Sequence, residues 1–167
     1  GCKQPSRASN SRREMLFLQF QIGPDRYALE ASRVVEVIPL LGLKKIPHAP
    51  RGVAGMFNYR GEVVPALDLT ALTTGQPAAE RLSTRILVVR TNIEGRGTRL
   101  LGLIAEHATS TLRKDEQDFV DPRLTPGSAS YLGPVLLDDQ GVIQWIQEQK
   151  LLPENLRQLL FAADALT

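Results

Sequence analysis

Two histidines and one cysteine in 167 residues leave this chain almost without metal-ligating side chains. Metal centres need clusters of His, Cys, Asp or Glu at short, regular spacing. No HExxH, CxxC or His-x-His occurs, so no metal site is expected. His48 sits between Pro47 and Pro50 and reads as an exposed loop side chain; His107 follows Glu106 at a strand junction and reads as structural. Cys2 cannot form an internal disulfide, which fits a reducing compartment. Aromatic residues make up only 5% of the chain, too few for a base-stacking platform. Nor does any run approach the roughly 18–20 apolar residues a membrane-spanning helix needs, so direct membrane insertion is not expected. No secretory signal is visible near the N-terminus, and a cytoplasmic location is expected.

Catalytic signatures are equally sparse. There is no Gly-x-Ser-x-Gly elbow, no P-loop and no dinucleotide fingerprint. Gly95-Arg96-Gly97 is a lone Gly-x-Gly and reads as a turn. Asp138-Asp139 lies in a turn signal, where Asp is favoured for backbone reasons. No enzyme and no cofactor are expected. Charge is distributed unevenly. The 20 Lys+Arg outnumber the 18 Asp+Glu, but Lys3, Arg7, Arg12 and Arg13 lie in the first 14 residues, against Glu14. The remainder is close to neutral. Residues 1–14 therefore read as a disordered basic tail.

What is present is a succession of short strand signals. Leu18, Phe20 and Ile22 alternate on one face, and Gly23-Pro24-Asp25 turns the chain towards a returning strand at Tyr27-Ala28-Leu29. Glu30 to Val35 has room for one or two helical turns, and strand character resumes at Glu36-Val37-Ile38. Pro47 and Pro50 exclude a helix interior, leaving an ordered loop. Two apolar runs around Arg60-Gly61 form a hairpin. A long mobile connection begins near Thr73. Further strands cover 85–90, 99–106 and 108–112, followed by an exposed loop over 113–130. A last hairpin spans Tyr131–Leu137 and Val142–Ile146. Pro153 suits a first helical position, and leucines at 152, 156, 159 and 160 fall on one face of an amphipathic helix. About ten short strands point to barrels or a sandwich, in two small units that share apolar contacts.

The order of the central residues is more specific. Val34-Val35-Glu36-Val37-Ile38, then Pro47 and Pro50, then Gly55-Met56-Phe57-Asn58-Tyr59-Arg60-Gly61, then Pro65 and Asp68-Leu69, resembles the bacterial CheW family of chemotaxis coupling proteins. Gly102-Leu103-Ile104-Ala105-Glu106 and Tyr131-Leu132-Gly133 extend the likeness. The resemblance implies an all-β fold of two five-stranded SH3-like β-barrels with short helices over residues 15–153; the leucine spacing adds an amphipathic C-terminal helix or tail at 154–167. It also implies a non-catalytic adaptor at membrane-associated receptor arrays. The implied partners are the cytoplasmic tip of a methyl-accepting chemoreceptor and the regulatory domain of a CheA-type histidine kinase.

Carried over residue by residue, the resemblance places receptor contacts at Val34, Glu36, Ile38, Asn58, Tyr59 and Arg60. For the kinase-facing surface the sequence offers only a barrel-to-barrel apolar contact, with Gly52, Val53 and Gly55 as the candidates, and structural roles fall at Gly61, Pro65 and Asp68. Arg60 could also brace Glu36 or Asp68 through charge-assisted bonds. Tyr59 departs from the family's usual Leu, and Glu106 from its usual Asp. A rival reading, from another class, is a small-barrel nucleic-acid binder that uses the basic tail. Monomer and weak self-association remain open alternatives.

Overall fold

Residues 14–93, 97–121 and 132–151 are described by a computed structural model. The strands are β1 (Glu14–Ile22), β2 (Asp25–Glu30), β3 (Val34–Pro39), β4 (Val53–Tyr59), β5 (Glu62–Asp68), β6 (Arg85–Ile93), β7 (Gly97–Asp115), β8 (Leu132–Asp138) and β9 (Gly141–Ile146). A single α-helix, α1 (Leu69–Thr74), interrupts them among the described residues. The expected basic tail and amphipathic C-terminal helix lie outside these residues, except that β1 already begins at Glu14.

Pairing divides the strands into two five-stranded sheets that share β7. The first runs β3-β6-β7-β5-β4, and the second β7-β1-β2-β9-β8. Both follow one plan: two antiparallel pairings, one parallel pairing, then an antiparallel hairpin. Neither sheet closes by continuous pairing. Each is drawn round by one isolated bridge, Lys44 to Met56 in the first and Val120 to Val135 in the second. The all-β, two-subdomain expectation holds, in the form of incompletely closed barrels.

Three apolar clusters explain why the strands read as they do. Phe57, Val64, Ala66, Ile86, Val88 and Ile104 fill the first barrel. Phe17, Ala28, Phe119, Leu136 and Ile143 fill the second, where Phe17, Phe119 and Trp145 form an aromatic triplet. The largest cluster lies between the barrels and joins Phe20, Ile22 and Leu29 to Leu67, Leu87, Val89, Leu101 and Leu103. On β6, Ile86 and Val88 therefore serve one core while Leu87 and Val89 serve another. A strand buried on both faces gives a continuous apolar run rather than an alternation.

The two expected strands at 99–106 and 108–112 are one strand, β7, and nine strands are present among the described residues. His107 takes φ +52°, and the β1–β7 register slips between the Gln21–Glu106 and Gln19–Ser110 pairs. This bulge turns β7 out of one sheet into the other without ending it. Two further expectations are corrected. Residues up to Asp115 belong to β7, and Glu116–Asp118 form a 3₁₀ turn capped by Asp115, whose carboxylate accepts the Gln117 N–H at 2.8 Å. The connection after Asp68 starts as α1, which Asp68 caps by accepting the Ala71 N–H at 3.1 Å. Gly75 ends it in the left-handed conformation, φ +85°. The segment after Glu30 is a single 3₁₀ turn, Ala31–Arg33.

Candidate partner-binding site

The β4–β5 hairpin has two central residues, Arg60 at φ +52° and Gly61 at φ +87°. Positive φ at both positions is the type I′ pattern, whose twist matches that of the flanking strands. Glycine tolerates it freely. Arginine does not, at a cost of roughly 1–2 kcal/mol. The turn is held by Asn58, whose Oδ1 accepts the Gly61 N–H at 2.8 Å. Asn58, through its side chain, and Gly61, through its backbone freedom, thus set the geometry of the turn that carries Arg60.

Beyond the turn, Glu36 on β3 reaches the hairpin across the open side of the first barrel. One of its carboxylate oxygens, Oε1, accepts two hydrogen bonds: from the Tyr59 hydroxyl at 2.6 Å and from Arg60 Nη2 at 2.9 Å. The Arg60 guanidinium also lies 5.2 Å from the centre of the Tyr59 ring, a cation–π distance. Burial is graded: Tyr59 is 8% exposed, and the Glu36 and Arg60 side chains 38% and 75%. An anchored phenol therefore lies beneath an outward guanidinium. The hydrogen bond to Glu36, with some desolvation, raises the Tyr59 phenol above its ordinary pKa. Arg60 braces Glu36, while Asp68 is engaged elsewhere. Asp68 accepts from Ala71 with Oδ1 and from the Ala78 N–H with Oδ2 at 2.8 Å.

The remaining expected receptor contacts are not gathered at this point. β3 carries a register irregularity between Val34 and Glu36, which breaks simple alternation along the strand. Val34 packs on the core between the barrels, and Ile38, with Val35, on the core of the first barrel. Val37 is the more exposed apolar side chain of the strand. Asn58 is exposed next to the turn.

The kinase-facing candidates split by cause. A Cβ on Gly52 would lie 2.8 Å from Leu72 Cδ1, and one on Gly55 2.5 Å from the Lys44 carbonyl oxygen. Close backbone approach explains both glycines. Val53, half-buried, lines a groove of about 440 Å³ with Leu40, Leu41, Leu43, Ala71 and Ala78. Pro65 is buried on β5 opposite Met56. The Glu36–Tyr59 contact escaped the sequence reading; the Tyr departure at position 59 was its one visible signal. Among the described residues no cluster of three or more His, Cys, Asp or Glu could hold a metal. None of their helices is long and apolar enough to cross a membrane.

Two incompletely closed barrels sharing one long strand, with a charged hairpin tip latched across the first, define a two-subdomain SH3-like scaffold fold. The chain belongs to the CheW-like domain family, whose model matches residues 16–155. The chemotaxis protein CheW of Helicobacter pylori is 28% identical over 117 residues, 70% of this chain and 67% of that protein. Protein FrzA of Myxococcus xanthus is 29% identical over 148 residues, 87% of this chain and 89% of that one. The scaffolding protein TtCheW of Thermoanaerobacter tengcongensis has the same fold, with a TM-score of 0.76 at 23% identity, over 89% of this chain and 94% of that one.

Proposed function

We propose that this chain is a non-catalytic adaptor. It couples the cytoplasmic tips of methyl-accepting chemoreceptors to the regulatory domain of a CheA-type histidine kinase, in the cytoplasm at membrane-associated receptor arrays. The observation that carries the reading is the latched hairpin tip, Asn58 to Gly61 with Glu36, on a CheW-like domain. Its guanidinium is exposed, oriented and strained into place, which suits a contact surface better than a core brace. Related proteins that carry the names CheW and FrzA support the adaptor role.

Receptor contact centres on Arg60, with Glu36, Tyr59 and Asn58 as its surround and Val34 and Ile38 as supports from the strand beneath. Kinase contact rests on Val53 and the leucines beside it in the groove, with Gly52 in its wall and Gly55 letting the Leu43–Lys44 segment approach. The test is capture of a purified chemoreceptor cytoplasmic fragment from the same genome. Arg60→Glu should weaken capture by an order of magnitude or more, because it replaces a donor by a like-charged neighbour of Glu36. Undiminished capture by a folded Arg60→Glu protein would remove the receptor face from this hairpin.

A further inference from the structure

Arg60 is the outermost member of the Glu36–Tyr59–Arg60 cluster, yet the geometry is organised around the tyrosine. Tyr59 is the buried member, 8% exposed, and it packs in the core of the first barrel. Its hydroxyl reaches Glu36 Oε1 at 2.6 Å, and that same oxygen receives Arg60 Nη2 at 2.9 Å. Its ring is also the surface on which the guanidinium sits, at 5.2 Å. An arginine 75% exposed would otherwise sample many rotamers. Here one fixed side chain restrains it twice, once through the ring face and once through the carboxylate.

We propose that Tyr59 is the positioning residue that presets the Arg60 guanidinium for its partner, and that the partner meets it with a hydrogen-bond acceptor such as a carboxylate. This deepens the receptor-adaptor reading and rests on it. Among the described residues, Arg60 Nε and Nη1 make no hydrogen bond, so donors remain for an incoming acceptor. A guanidinium already fixed in the free protein loses less freedom on binding. Immobilising a long side chain at an interface costs about 0.5–1.5 kcal/mol, which corresponds to roughly a two- to tenfold change in Kd.

Two measurements test the proposal. The first is a binding cycle with a purified chemoreceptor cytoplasmic fragment as probe. Tyr59→Phe keeps the ring and removes the hydroxyl; it should weaken binding two- to tenfold. In an Arg60→Ala background the same change should have no further effect, since no guanidinium is left to position. A packing defect would act equally in both backgrounds. Binding by Tyr59→Phe at wild-type strength overturns the proposal, as does an equal loss with and without Arg60. If Arg60→Ala itself binds normally, the receptor-face reading fails and the positioning role falls with it. The second measurement needs no partner. In protein with ¹³C-labelled tyrosine, the Tyr59 phenol should titrate at lower pH in Glu36→Gln than in wild type. Arg60 and Arg90 are the other charges acting on this phenol, and both remain in that variant. An unchanged titration shows that the hydroxyl does not hold Glu36 in solution and overturns the proposal even if Arg60 binds the receptor.

Discussion

Asp138→Asn should destabilise the second barrel by about 2 kcal/mol near neutral pH, and the loss should fade in acid. Arg26 on β2 donates to both Asp138 oxygens, from Nη1 at 2.7 Å and Nη2 at 2.9 Å. The two side chains are only 12% and 18% exposed, and Lys114 Nζ adds a second cation at 3.8 Å. Hydrogen bonds to charged groups contribute roughly 1.5–3 kcal/mol each, and breaking a fully buried pair costs about 3–5 kcal/mol. Residual solvent access and the acceptor that Asn retains bring the expectation down to about 2 kcal/mol. For a domain of this size that corresponds to roughly 4–8 °C in Tm, or about 1 M in urea midpoint. The Arg26 hydrogen bonds, helped by the Gln140 N–H and the nearby cations, hold the Asp138 carboxyl well below the usual carboxylate range. The sign follows. The unfolded carboxylate takes up its proton near pH 4, roughly its free value, while the folded one resists. The stabilisation is therefore complete above about pH 4 and lost as pH falls towards the folded value. Urea unfolding of both proteins at pH 7, 5, 4 and 3 checks this. The gap should be constant from pH 7 to 5 and shrink at 4 and 3. A gap unchanged at pH 3, or under about 0.5 kcal/mol at pH 7, refutes the reasoning.

Other outcomes follow from close contacts and caps. Gly102→Ala places a methyl 2.6 Å from Phe57 Cε1 and 3.0 Å from Ile86 Cγ2, so overpacking should cost about 1–3 kcal/mol in chemical unfolding. Asp68→Ala removes the α1 cap and the bond to Ala78, and should cost about 2 kcal/mol, counting roughly 1 for each. By hydrogen exchange, the Ala71 and Ala78 amides should lose more protection than the global change in stability explains.

The hairpin at Arg60-Gly61 was legible because its turn chemistry is local. Asn58 and Gly61 lie within hydrogen-bonding reach of one another whatever the rest of the chain does. The β7 bulge was not, because nothing distinguishes His107 from any residue between two strands; tertiary pairing imposes its positive φ. Helix α1 was flanked by readable punctuation, Asp68 and Gly75, but Leu69–Thr74 is only six residues long and half threonine, which weakens its intrinsic helix preference. Burial of Leu69 and Leu72 on the inter-barrel core, with the Asp68 cap, supports it. At the site, the family order of residues identified the hairpin. It could not reveal that Tyr59 and Glu36, far apart in sequence, share a hydrogen bond, nor that Val34 and Ile38 turn their apolar groups inward past a register slip.

The sharing of β7 has a consequence for how the chain acquires its structure. The first barrel is continuous in sequence, from Val34 to the first half of β7. The second is assembled from both sides of it: Glu14 pairs with Asp115, and Arg26 with Ile143. During synthesis β1 and β2 are made first, yet they must wait for β7 and then β9 before their hydrogen-bonding edges are covered. A lone two-stranded hairpin is marginal in water, and such long-range pairings close slowly. The first barrel should therefore be protected early in refolding. Phe17, whose neighbours Leu136, Ile143 and Trp145 lie on β8 and β9, stays exposed until the last of these strands arrives, which makes that interval the period when the nascent chain is most open to aggregation.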